Sequence, residues 1–128
     1  MSDVYKEVPF NWLGKTIMVG LRVYTYTYGD KLAIHMMMKN EYGASELFAY
    51  LTCNLPYAVQ LKENEAIINP DVMKYGVVKF LQKNHLVKRV WNAYNGFMAA
   101  AFDFDVLREF DSFGLDVYLH NRSQLKQK

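Results

Sequence analysis

Hydrophobic and polar residues alternate with a period of two from position 16 onward. Ile17, Val19, Leu21 and Val23 stand against Thr16, Met18, Gly20 and Arg22, the pattern of a half-buried strand. Beyond Val23 the bulky positions shift from odd to even, since Tyr24, Tyr26 and Tyr28 alternate with Thr25 and Thr27. A β-bulge or a change of packing partner near Val23 and Tyr24 accounts for that shift. Gly29-Asp30 fits the centre of a tight hairpin turn, with glycine supplying the positive φ. The return strand, 31–39, places Leu32, Ile34, Met36 and Met38 on one face and Ala33, His35 and Met37 on the other. A third strand over 46–55, with Leu47, Ala49, Leu51, Cys53 and Leu55 on its apolar face, completes a meander, and Pro56 ends it because it lacks an N–H donor.

The period then changes. Asn69-Pro70-Asp71 combines a capping side chain, a proline suited to the first helical position and an acid that complements the helix dipole. Met73, Val77, Phe80 and Leu81 follow at helical spacing, which predicts a helix over 70–84. Two more strands, 86–91 and 97–104, are joined through the turn dipeptide Asn95-Gly96. A short helix begins near Asp105, and Leu115, Val117 and Leu119 alternate as in a last short strand. Residues 1–15 read as an aromatic extension and 121–128 as a flexible polar tail. The predicted fold is therefore a single α+β domain over 1–128. An antiparallel sheet of about five strands, a three-strand meander plus a hairpin, packs against one main helix, with a short C-terminal helix.

Composition agrees with a packed domain. Of 128 residues 52% are hydrophobic and 22% charged, with three prolines and seven glycines, and a chain of this length buries roughly two-thirds of its unfolded surface. The single cysteine, Cys53, excludes an internal disulfide and a thiol-rich metal site, which points to a reducing, cytoplasmic setting. No apolar run approaches the ~18 residues of a membrane span, and no signal-peptide pattern precedes position 15, so no membrane partner is expected.

Candidate chemistries fail on geometry. Leu13-Gly14-Lys15-Thr16 resembles the end of a phosphate-binding loop, but Pro9 stands where that motif needs its first glycine, and a strand follows instead of a helix. Cys53 and His35 fall on opposite faces of the meander, which favours Cys53 as a small core hydrophobe over a nucleophile. His35, His85 and His120 lack zinc spacing. Asp103 and Asp105 are explained by capping the helix that follows, ahead of acid-base work or cation binding. No catalytic, cofactor or metal site is predicted, and the chain is expected not to be an enzyme.

Charge directs attention to surfaces instead. Net charge is only +2, yet 74–89 carries Lys74, Lys79, Lys83, Lys88, Arg89 and His85 without an acid. The stretch 103–116 sets Asp103, Asp105, Glu109, Asp111 and Asp116 against Arg108 alone. The candidate partner-binding residues are therefore Tyr24, Tyr26, Tyr28, Lys74, Lys79, Lys83, Lys88 and Arg89. A protein partner is the first expectation. Nucleic acid bound by the basic helix and stacking tyrosines is the second, and a homodimer joining the opposite-sign segments is the third.

Tyr50-Leu51-Thr52-Cys53-Asn54-Leu55-Pro56, the acidic stretch Glu63 to Asn69, the segment 77–88 and Tyr94-Asn95-Gly96-Phe97 together resemble a domain-of-unknown-function family of small proteins encoded by bacteria, plasmids and phages. The resemblance spans about 24–104. It departs at Asn95, where the family pattern has Ser-Gly, and after Asp105. It implies no catalytic residues. It implies an accessory protein of a mobile element, of the kind that inhibits a host defence protein as anti-CRISPR proteins do.

Overall fold

The computed structural model describes residues 6–27, 29–55 and 60–126, and among these it forms eight strands and four helices. The class is α+β and the sheets are antiparallel, as the pattern predicts. The strands, however, divide between two sheets. The first contains β1 (Val8–Trp12), β2 (Lys15–Thr25), β3 (Leu32–Lys39) and β4 (Ser45–Tyr50) in that order. The second contains β5 (Thr52–Cys53), β6 (Glu65–Ile68), β7 (Val87–Tyr94) and β8 (Phe97–Phe102), ordered β5-β6-β8-β7.

The aromatic extension supplies β1. Val8, Phe10 and Trp12 alternate with Pro9 and Asn11, and the strand pairs with β2 from Val8 opposite Val19 to Trp12 opposite Lys15. Its turn is Leu13-Gly14, both at positive φ (50° and 79°), the geometry of a two-residue hairpin turn. A leucine at that position obscures the turn in the sequence. The Gly-Lys pair of the phosphate-loop resemblance is thus the end of a hairpin turn and the start of a strand.

Pairing of β2 with β3 is continuous from Gly20 opposite Met37 to Thr25 opposite Leu32, so there is no bulge at Val23 and Tyr24. Val23 stays buried while Tyr24 turns outward opposite Ala33, and that change of environment is what moves the bulky positions. β2 ends at Thr25. Gly29 and Asp30 do take positive φ (87° and 51°), but within a wider loop closed by the Tyr26 N–H donating to the Lys31 carbonyl at 2.8 Å. The bulge lies in β4, where Met36 faces Ala49 and Met37 faces Leu47, leaving Phe48 as the extra residue.

The third predicted strand divides at Leu51. Its N–H donates to the Ile34 carbonyl of β3 (3.0 Å), and its carbonyl accepts from the Asn69 N–H that follows β6 (2.9 Å). One residue is thereby bonded to both sheets, and the chain leaves the first to enter the second. Pro56 lies outside the described residues. β6, unpredicted, is a four-residue run buried throughout, too short for periodicity to assign.

The predicted helix over 70–84 divides into α1 (Pro70–Met73) and α2 (Val77–Lys83) at Gly76, whose φ is 79°. The Asn69 side chain caps α1 by accepting from the Asp71 N–H at 3.1 Å. Asn95 and Gly96, at φ 44° and 86°, form the predicted turn between β7 and β8. α3 (Phe104–Phe110) is capped by Asp103, and α4 (Ser112–Lys126) follows it. The last strand predicted at 115–119 is therefore helical. Leu115 and Tyr118 are buried three apart, and Val117 points to solvent. The main helix is C-terminal, and 121–126 continue it instead of forming a tail.

One core unites these layers. Val19, Leu21, Val23, Ile34 and Met36 come from the first sheet, and Ala66, Ile68, Ala100 and Phe102 from the second. Phe80, Leu81, Leu107, Phe110 and Leu115 come from the helices. α4 is tied to β2 beyond the reach of β1. Asp111 accepts from the Val23 N–H through Oδ2 (2.8 Å) and from the Gly114 N–H through Oδ1 (2.9 Å), and so satisfies a sheet-edge donor with a carboxylate.

Candidate functional site

Four aromatic side chains converge where β1, β4 and the end of α1 meet. Strand alternation sends Phe10 and Trp12 to the inner face of the first sheet, and the β4 bulge brings Phe48 beside them. Phe48 meets Phe10 at 6.1 Å and Trp12 at 5.2 Å between ring centroids, with interplanar angles of 71° and 88°. Tyr75, just past α1, meets Trp12 at 6.5 Å and 68°. Edge-to-face contacts of this kind hold rings in fixed orientations. The cleft they wall has a volume of about 480 Å³ and is completed by Met36, Met38, Val72 and Ala49, with Asp71 and Lys74 as its charged groups.

A second hollow of about 260 Å³ adjoins it, sharing Phe10 and Tyr75 as walls and adding Asn11, Phe80, Lys79 and Lys83. Lys79 and Lys83, four apart on the exposed side of α2, lie on one helix face. Lys74 Nζ lies 5.3 Å from the Tyr75 ring centroid, within cation–π range. None of these three lysines makes an ion pair among the described residues.

The other candidate residues lie elsewhere. Lys88, on β7, lines a separate hollow beside Glu63, Asp103 and Asp105. Arg89 is paired with the buried Glu65 carboxylate at 3.6 Å, and its guanidinium stacks 4.1 Å from the Trp91 ring centroid. Glu65 also accepts from the Lys62 N–H at 2.9 Å, so this pair supports the second sheet. Tyr24, 46% exposed, is on the outer face of the first sheet, where its ring lies 4.4 Å from that of His35. His35 in turn meets Tyr50 edge-on at 4.9 Å, and burial pushes its pKa down. The Tyr26 hydroxyl bonds to Thr52 Oγ1 at 2.8 Å, and burial pushes its pKa up. Tyr28 lies outside the described residues. Lys74, which ends α1, the lysines of α2 and the outer-face Tyr24 thus stand on opposite sides of one sheet.

Cys53 pairs with Ile67 in the second sheet, and no hydrogen bond joins it to His35 among the described residues. Burial first, and the Asp71 charge second, push its thiol pKa up, which disfavours the thiolate a nucleophile needs. Asp103 accepts from the Asp105 and Val106 N–H groups at 3.0 and 3.4 Å, as a helix cap does. The acidic stretch is largely engaged within the chain: Asp111 binds β2, Asp116 pairs with Arg108, and Glu109 pairs with Lys6 at 2.9 Å. Among the described residues no three His, Cys, Asp or Glu side chains gather as metal ligands would, and no helix is long and apolar enough to cross a membrane.

The lysines of this site are legible in the sequence, and its aromatic walls are not. The alternation of Val8, Phe10 and Trp12 is the signal that could have placed two of them. Phe48 carries no such signal, because a bulge reverses its face. A family model described as a domain of unknown function (DUF4313) matches residues 20–122, consistent with the resemblance seen over 24–104 and reaching past it at both ends. No curated protein and no solved structure matches the chain.

Proposed function

The chain belongs to that family, and for this member of it we propose a non-enzymatic role: binding a macromolecular partner, with the aromatic cleft and its bordering lysines as the working surface. One observation carries the reading. Lys74, Lys79 and Lys83 border two adjoining hollows walled by Phe10, Trp12, Phe48 and Tyr75. Large apolar rings beside unpaired cations are the composition of an interface core with a charged rim, where rings supply affinity and charge supplies orientation. An acidic protein surface fits that arrangement. A phage- or plasmid-encoded accessory that inhibits a host defence protein would act through such a surface.

Nucleic acid is the second reading, favoured by the helical pair Lys79 and Lys83. The outer-face Tyr24 counts against it, since a strand of bases cannot stack there while its phosphates lie on α2 across the sheet. The two readings separate in one experiment. The immobilised chain is exposed to bacterial lysate with and without nuclease and is compared with the Lys79→Glu/Lys83→Glu variant, whose changes lie at exposed positions. We expect a retained protein that survives nuclease and is lost from the variant, with retention falling as salt rises. Retention equal in both proteins would remove the lysines from the function, and nuclease-sensitive retention would transfer it to nucleic acid.

A further inference from the structure

Resting on that reading, we infer that the cleft takes one aromatic or large aliphatic side chain from an acidic linear segment of the partner protein, with carboxylates of the same segment lying along Lys79 and Lys83. The larger hollow, about 480 Å³, has the size of pockets that enclose a discrete group, roughly 300–1,000 Å³. Its walls are rings and methionines, with Asp71 and Lys74 as the only charged groups. An apolar occupant therefore loses no hydrogen bond on entry, and Met36 and Met38 adapt to its shape. Fixed edge-to-face rings leave faces and edges for one further ring.

The smaller hollow differs in kind. About 260 Å³ and edged by Lys79 and Lys83, it suits an extended backbone more than a bulky group. Residues four apart on a helix stand about 5–6 Å from each other, close to the roughly 6.6 Å between alternate residues of an extended chain. Acids at alternate positions of a segment thus face successive lysines.

The test uses the full chain and four synthetic probes. These are a twelve-residue peptide with one Phe followed by Glu at alternate positions, the same peptide with Phe replaced by Ala, the same peptide with Glu replaced by Lys, and a twelve-nucleotide oligothymidylate. Fluorescence anisotropy reads affinity, and amide chemical shifts read location. The Phe–Glu peptide should bind about tenfold or more tighter than its Ala form, as burial of a phenyl ring implies, and should shift the amides of Trp12, Phe48 and Tyr75. Trp12→Ala should weaken it by a similar factor. Because Trp12→Ala also removes packing, Met38→Glu at the cleft wall provides a second variant with the same expected loss. Equal binding of the Phe and Ala peptides, shifts outside the cleft, tighter binding of the oligothymidylate, or no peptide binding would each overturn the inference. The lysate experiment decides the broader reading independently, so the two fail in different ways.

Discussion

Gly114 lies where α4 meets β2, and no side chain fits there. A Cβ at this position would stand 2.2 Å from Asp111 Oδ2 and 2.6 Å from the Val23 carbonyl oxygen. Both are held in place by the bonds that join the helix to the sheet edge. Gly114→Ala should therefore cost about 3 kcal/mol, at the upper end of overpacking penalties, and lower the urea midpoint with little change in slope. Tyr118, 1% exposed, donates its hydroxyl to the Glu63 carbonyl at 2.5 Å, and burial pushes its pKa from 10.0 up to about 12. A phenol harder to ionise in the folded chain contributes stability in full below about pH 10, and loses it as pH rises toward 12 and the unfolded chain ionises first. Stability measured against pH should fall over that window, and Tyr118→Phe should fall less steeply. Neither residue declares its role in the sequence. Asp111 reads as one of several acids, and its partner Val23 is 88 positions away. Asn69, Asp103 and Asn95-Gly96 are legible because each acts on neighbours a few residues distant.

At the scale of elements, the end of α2 shows how a local rule is kept at a cost. The Leu86 N–H donates to the Leu81 carbonyl at 2.9 Å and the His85 N–H to the Gln82 carbonyl at 3.1 Å, the paired bonds of a Schellman motif. His85 occupies the left-handed position at φ 59°, where glycine is the usual choice. Its side chain is exposed, so His85→Gly should gain about 1 kcal/mol, read as a higher urea midpoint. This end was legible as a basic helix terminus but not as a strained one. An element is ambiguous where two periods fit the same letters: Leu115, Val117 and Leu119 alternate, yet Leu115, Tyr118 and Leu119 also make a helical stripe, and tertiary packing selects the second. The aromatic cleft was illegible for a related reason, since it depends on a bulge at Phe48 and a strand formed by an apparent extension.

Across the whole molecule, two sheets share one set of buried side chains and meet at Leu51, which is fully buried and bonded to both. Neither sheet keeps its inner face covered without the other, so unfolding should be a single cooperative event. Each sheet holds one of the chain's two tryptophans, Trp12 in β1 and Trp91 in β7. Trp12→Phe and Trp91→Phe variants therefore isolate the fluorescence of one sheet at a time. The emission of Trp91 in the first and of Trp12 in the second should each follow the same denaturant profile as circular dichroism of the same variant. Emission that departs from circular dichroism in either variant would mean that the sheets unfold separately. The bond between Val23 and Asp111 has a further consequence during translation. Strand β2 is made before the portion of the chain that carries Asp111, the acceptor for its Val23 edge N–H, which follows 88 positions later. Until that portion clears the ribosome, the growing polypeptide presents an open strand edge to its neighbours on the same message. Crowded polysomes thus bring such edges close enough for edge-to-edge mispairing.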